Sequence, residues 1–158
     1  GAEKIIAVDR VESKEIIART MGATHFVKAD DNTVEVVKEL TDGLGADYAF
    51  DAVGSVKIAE MLLPSLRERG LALLVGVPPT DSRLQIDATD VFRQEKRLTG
   101  TIYGSADTAV DFEKYAHMYL SGSLPVQKLI SKYYKIEEIN QACEEMLTGE
   151  IARGVVTF

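Results

Sequence analysis

One cysteine in 158 residues, Cys143, leaves nothing for an internal disulfide and fits a reducing, cytoplasmic setting. No apolar run reaches the roughly 18 residues that a membrane span needs, and no secretory signal peptide is expected. Positive charge is short as well. Lys and Arg number 18 against 25 Asp and Glu, and the net charge of −7 argues against nucleic acid or an anionic membrane as partner. Motifs of hydrolytic and phosphoryl-transfer chemistry are missing: there is no nucleophile elbow, no H-E-x-x-H and no P-loop. His25, His117 and Cys143 are too scattered for ligand spacing, so no zinc site is written in the chain. Repeats, low-complexity tracts and linkers are also absent. The chain does not begin with Met and opens in what reads as the end of a helix, so the expectation is a piece of a longer protein.

What is present is an ordinary globular balance, 46% hydrophobic and 27% charged, in a length suited to one domain with a core. The pattern is organised around KIIAVD, residues 4–9, a β-branched run that reads as a strand buried on both faces and ending in an acid. A helix over residues 13–21 follows, with Ile16, Ile17 and Met21 apolar and Gly22 as its stop. Residues 24–27 read as a strand. Asn32 with Glu35 opens a helix whose stripe is Val36, Val37 and Leu40. Residues 46–53 are a third strand stopped by Gly54. Ser55 caps a helix with Ile58, Met61, Leu62 and Leu66 on one face and Pro64 to kink or shorten it. Residues 71–75 are a fourth strand and residues 97–103 a fifth, with an extended piece at 84–87 and a short helix at 88–94 between them. Helices over 106–120, capped by Ser105, and 136–146 precede a terminal strand at 154–158. Strands alternating with helices predict an α/β protein with a parallel sheet.

Several residues invite a functional reading beside a structural one. Asp9 closes a strand where open α/β sheets bind ligands; it either caps the next helix or accepts both hydroxyls of a ribose, repelling a 2′-phosphate. The glycine fingerprint that would precede such an acid by about 20 residues has no room, since only eight residues come before it. Gly43-Leu44-Gly45 follows a helix and precedes a strand, the reverse of a phosphate loop, and reads as a helix stop with a turn. The segment from Val75 through Gly76 and Val77 to Pro79 is either a plain turn or a wall against a flat ring. Arg153, just before the last strand, is either solvated or a phosphate partner. His25, His117 and Cys143 read as packing or surface residues.

Taken in order, KIIAVD, MGATHFV, GADYAFDAVGS, LLVGVPP, LTGTIYG and GEIARGVVTF resemble one family across essentially the whole chain: the zinc-dependent alcohol dehydrogenases of the medium-chain dehydrogenase/reductase superfamily. The match is to that family's carboxyl-terminal, NAD-binding portion. The resemblance implies a Rossmann-like parallel sheet lacking its first strand, with a helical tail and terminal strand that belong to the catalytic domain in the parent. It sets residues 1–103 as the partial NAD-binding domain and residues 104–158 as the segment packing with the catalytic domain. It gives Asp9 and Lys14 to the adenosine ribose, with Arg10 near adenine. Ala52, Val53 and Gly54 fall beside the adenosine half. Val75, Gly76 and Val77 fall at the nicotinamide, where Thr101 and Tyr103 meet the carboxamide. Arg153 falls on the pyrophosphate.

The family's zinc ligands, structural zinc lobe, proton relay and glycine-rich turn lie upstream of the matched part. The parent would move a hydride between an alcohol or aldehyde and NAD with zinc polarising the oxygen, while the isolated chain is expected to be inactive. Binding of NAD to it is expected to be weak, since the lost turn supplied several charge-assisted bonds of roughly 1.5–3 kcal/mol each. Rival readings are a methyltransferase and a non-catalytic nucleotide-sensing or assembly module. The 97–103 strand, with little charge beyond Arg97, is expected to pair with its copy in a homo-oligomer, a dimer broken by Thr101→Pro. The missing central strand leaves two outcomes. Either residues 4–8 pair directly with residues 48–53, closing the gap in strand order 2-1-3-4-5, or a strand-sized gap is kept between these two strands and the chain is a fragment of an intact dehydrogenase.

Overall fold

The computed structural model describes residues 1–158 and divides into two compact units: residues 1–30 with 108–158, and residues 31–107. All strand pairs are parallel, and they lie in three sheets rather than one.

In the first unit, β1 (Ile6–Asp9) pairs with β2 (His25–Lys28), Asp9 opposite Lys28. The connection is a 3-10 turn, Glu12–Lys14, running into α1 (Glu15–Thr20), shorter than the helix predicted over 13–21. The burial expected of residues 4–8 is corrected: Ile5 and Val8 are exposed. A strand with one neighbour has an open edge and cannot be sealed on both sides. The direct pairing of residues 4–8 with 48–53 is also not formed, because the only strand partner of β1 is β2.

The same unit holds α5 (Thr108–Leu120), β6 (Ile130–Lys135), α6 (Ile139–Thr148) and β7 (Arg153–Thr157), with β6 and β7 forming a two-stranded sheet. Residues 131–134, read only as a prelude to a helix, are therefore strand. Tyr134 is 2% exposed, and its hydroxyl donates to Glu145 of α6 at 2.7 Å. Lys132 and Gln141 donate to the same carboxylate. These three donors hold the Glu145 carboxyl down at about 2, while burial first and the adjoining carboxylate second push Tyr134 up to about 12. The cluster pins α6 to the sheet that carries Arg153.

In the second unit, β3 (Ala46–Asp51), β4 (Leu66–Leu74) and β5 (Arg97–Gly100) pair in that order. Around them stand α2 (Thr33–Leu40), α3 (Val56–Ser65) and α4 (Ala88–Gln94). The side chain of Asp87 caps α4 by accepting from the N–H groups of Thr89 and Asp90, which fixes that short helix. Residues 84–87, expected to be extended, form no strand. Pro64 sits in the last turn of α3 and the helix ends one residue later, so Leu66 opens β4 instead of completing the helical stripe. It still reaches the core, at 1% exposure, with Leu62, Leu63 and Ala72, and with Ala49, Leu74 and Val91 packed against them. The β3–β4 register slips between Ala46 and Tyr48, where Arg69 takes a positive φ. Strand β3 stops at Asp51 rather than Val53, and β5 at Gly100 rather than Tyr103, because the chain turns into a 3-10 segment at Tyr103–Ser105. Ser105 lies inside that segment at positive φ and does not cap α5.

Candidate functional site

The register lines up the carboxyl ends of three strands in the second unit: Asp51 lies opposite Leu74, and Leu74 opposite Gly100. The segments that follow, residues 52–54, 75–77 and 101–103, hold eight of the residues singled out in the sequence, and they leave the sheet together at one edge. That is the edge at which open α/β sheets take ligands.

Two glycines let the turns approach each other. Gly54 has φ of 82°, and a Cβ on it would collide with the backbone of Val77. A Cβ on Gly76 would collide with the backbone of Gly54 and Val53. The chain after β3 therefore crosses the chain after β4 main chain to main chain, a contact only glycine permits. Val53, Val75 and Val77 are pushed outward, with Val77 at 89% exposure, and form an apolar rim; Ala52 is exposed beside them.

Backbone groups in this rim are partly committed. The N–H groups of Val75 and Gly76 donate to the carbonyl of Asp51 at 2.9 and 2.8 Å. The N–H of Thr101 donates to Leu74 at 3.0 Å, so of its backbone only the carbonyl remains for a ligand. The Thr101 hydroxyl lies 3.1 Å from that of Ser105. Tyr103 is exposed and held at φ of 50°, a conformation uncommon outside glycine. Asp51 is not among the residues that the sequence singles out. It is 2% exposed, and its Oδ1 accepts from the N–H groups of Val53 at 2.8 Å and Gly54 at 3.0 Å. The signal was legible: an acid at the end of a strand, three residues before a glycine, FDAVG.

The first unit holds the other four residues. Asp9 ends β1, with Oδ1 accepting from the N–H of Val11 at 2.9 Å and Oδ2 from Lys14 Nζ at 3.2 Å. The acid tethers the turn into the next helix without standing at its cap, a place taken by Val11 and Lys14, and it remains partly exposed. A carboxylate has about four acceptor sites, so a diol still finds acceptors beside those two bonds. Arg10 is exposed next to it. Arg153 belongs to a different sheet, at the start of β7. It lies on the rim of a shallow concavity of ≈ 380 Å³ lined by Tyr119, Val126, Leu129, Ile130 and Val155.

For zinc, the residues do not fit: no three His, Cys, Asp or Glu side chains converge on one point. For a dinucleotide each unit by itself offers part of what is needed: the first an acceptor carboxylate at a strand end with a cation beside it, the second a glycine-backed apolar rim at three strand ends. No helix is long and apolar enough to cross a membrane.

Comparison with known proteins agrees on one family. The model of the zinc-binding dehydrogenases matches residues 1–120. Alcohol dehydrogenase 1 of Trifolium repens is 33% identical over 99% of this chain, and alcohol dehydrogenase-like 7 of Arabidopsis thaliana is 34% identical over 99%. Among solved structures, benzyl alcohol dehydrogenase from Acinetobacter calcoaceticus superposes with a TM-score of 0.91 at 32% identity over 99% of the chain. A zinc-binding-domain alcohol dehydrogenase from Burkholderia ambifaria gives 0.92 at 27% over the whole chain. In each case the match covers only part of the other protein, 42% and 41% of the two plant enzymes and 43% and 42% of the two structures.

Proposed function

The chain belongs to the zinc-binding dehydrogenases, and on that premise we propose that it is the cofactor-binding portion of an NAD-dependent alcohol dehydrogenase, residues 1–103 drawn from the parent's coenzyme domain and residues 104–158 from the segment that packs on its catalytic domain. The observation that carries this reading is the alignment of residues 52–54, 75–77 and 101–103 at the carboxyl edge of one parallel sheet. Bound NAD supplies a hydride acceptor at the nicotinamide ring. The residues of this chain select and place it. Asp9 accepts the ribose hydroxyls, Lys14 holds that carboxylate in place, and Arg10 lies by the adenine. The rim of Val53, Val75 and Val77 packs the flat rings, the carbonyl of Thr101 accepts from the carboxamide beside Tyr103, and Arg153 neutralises the pyrophosphate. The alcohol or aldehyde substrate and the zinc that polarises it belong to the parent's other part. The exposed thiol of Cys143 suits a cytoplasmic setting.

Cofactor choice tests the reading. Asp9→Asn removes the charge that repels a 2′-phosphate and leaves Arg10 and Lys14 to attract it. The preference for NAD over NADP is expected to narrow by about 10- to 100-fold, the worth of one charged hydrogen bond. Parallel calorimetric titrations of wild type and variant with NAD, NADP and S-adenosylmethionine measure it. An unchanged ratio removes Asp9 from the ribose, and binding of S-adenosylmethionine alone favours the methyltransferase reading.

Self-association through β5 is part of the proposal. All four of its residues are exposed, and β4 occupies only one of its edges. Thr101→Pro is the wrong probe, because the N–H of Thr101 points inward to Leu74. By alternation the N–H of Gly100 points outward, so Gly100→Pro should convert a dimer to monomer in light scattering without loss of the β4–β5 ladder. A wild-type monomer at high micromolar concentration overturns the dimer.

A further inference from the structure

Asp51 is the most deeply buried acid in the chain, and cofactor placement as described above leaves it unused. Its position is unusual because it serves two turns at once. Through its side chain, Oδ1 accepts from the N–H groups of Val53 and Gly54. Through its main chain, the carbonyl accepts from the N–H groups of Val75 and Gly76. Four amides that open the two ligand-facing turns thus converge on one residue, at the point where Gly54 and Gly76 bring those turns into backbone contact.

A strand-end carbonyl would hold the β4 turn whatever the side chain. The Asp51 carboxylate is different, since nothing in an apolar side chain could satisfy the N–H groups of Val53 and Gly54, and Gly54 at positive φ has no side chain to brace itself. We infer that Asp51 is a positioning residue: its carboxylate locks the turn after β3, its main-chain carbonyl holds the turn after β4, and the rim that receives the flat rings of the cofactor is fixed where Gly54 and Gly76 let the two turns cross. This rests on the proposed NAD-binding role. Asp51 touches no ligand itself; it acts through Val53, Gly54 and the crossing with Gly76 and Val77.

The test compares Asp51→Asn, which keeps an oxygen acceptor at Oδ1 and loses the charge, with Asp51→Ala, which loses the acceptor. Amide hydrogen exchange and NAD titration followed by backbone amide shifts are read on the full chain. Expected for Asp51→Ala are exchange at Val53 and Gly54 faster by about tenfold or more and NAD affinity weaker by a similar factor. Ala49, Ala72 and Leu73 inside the strands should keep wild-type exchange. Asp51→Asn should restore both readouts to within about threefold. A merely structural acid would move all amides of the unit together and show no selective rescue. Wild-type exchange and affinity in Asp51→Ala overturn the inference. If the alanine variant does not fold, Asp51→Asn decides: near-wild-type behaviour supports an acceptor role, and loss of local protection refutes it. Absence of any NAD-induced shift in the wild-type chain at millimolar cofactor sinks the NAD reading, while the exchange comparison still settles the role of Asp51.

Discussion

Replacing Gly76 by alanine is expected to lower the stability of the second unit by about 2–3 kcal/mol, the upper part of the range for overpacking, and to abolish NAD binding. The added methyl would fall on the backbone of Gly54 and Val53, and neither can rotate aside as a flexible side chain would. The two turns must separate, which dismantles the crossing and shifts the apolar rim. For a unit of this size each kcal/mol moves the melting temperature by roughly 4–8 °C, so calorimetry should show a fall of about 8 °C or more. Gly100→Ala is the control, because a Cβ there meets only the carbonyl of Leu74 at 3.7 Å, an ordinary contact. Equal melting temperatures for the two variants would show that the crossing is looser than its geometry.

Truncation of Leu66 should cost still more. It is 1% exposed and stands against Leu62, Leu63 and Ala72 where α3 gives way to β4. Leu66→Ala removes buried methyl groups and leaves a cavity between helix and strand, for about 2–5 kcal/mol. Against a net domain stability of about 5–15 kcal/mol that is enough to leave a measurable unfolded fraction. Urea unfolding gives the value. Leu147→Ala, at a position 84% exposed, should be near neutral in the same assay. A loss below about 1 kcal/mol at Leu66 would mean that the helix–strand junction collapses onto the gap without penalty.

Leu66 also illustrates what the sequence conveyed and what it did not. Its burial is evident from its spacing after Leu62, but its place in β4 is not, because a stripe at i+4 reads the same whether the chain continues as helix or turns into a strand pointing the same way. Pro64 was the available warning. Strands β3 and β5 start where the sequence predicts and end two and three residues earlier. In both, the β-branched or aromatic residues that follow (Val53; Ile102 and Tyr103) carry strand propensity into segments that the tertiary turns claim. The β6 strand is hard to read for the opposite reason: Lys132 and Lys135 flank two tyrosines, and an exposed strand held by one buried Tyr has little hydrophobic signal. At the candidate site, Gly76 was legible as a close-approach glycine and Asp9 as a strand-end acid. The inward direction of the Thr101 N–H and the double duty of Asp51 were not, since both depend on which edge of a strand faces its neighbour, and alternation along one strand does not reveal that.

The division of the chain at residues 30 and 107 has a temporal meaning. The second unit is one continuous stretch, residues 31–107, and every contact inside it is available as soon as that stretch exists. The first unit is assembled from both flanks of that insertion, so β1 and β2 cannot find α5, β6, α6 and β7 until residues 108–158 have been made. Bringing the flanks together across an unstructured insert would carry a loop-closure entropy of roughly 4 kcal/mol. Condensation of residues 31–107 removes most of the flexible residues from that loop. On a ribosome, where amino-terminal parts emerge first, the growing chain therefore passes through a stage in which the turns at Gly54 and Gly76 are formed while the strand that ends in Asp9 still waits for its surroundings.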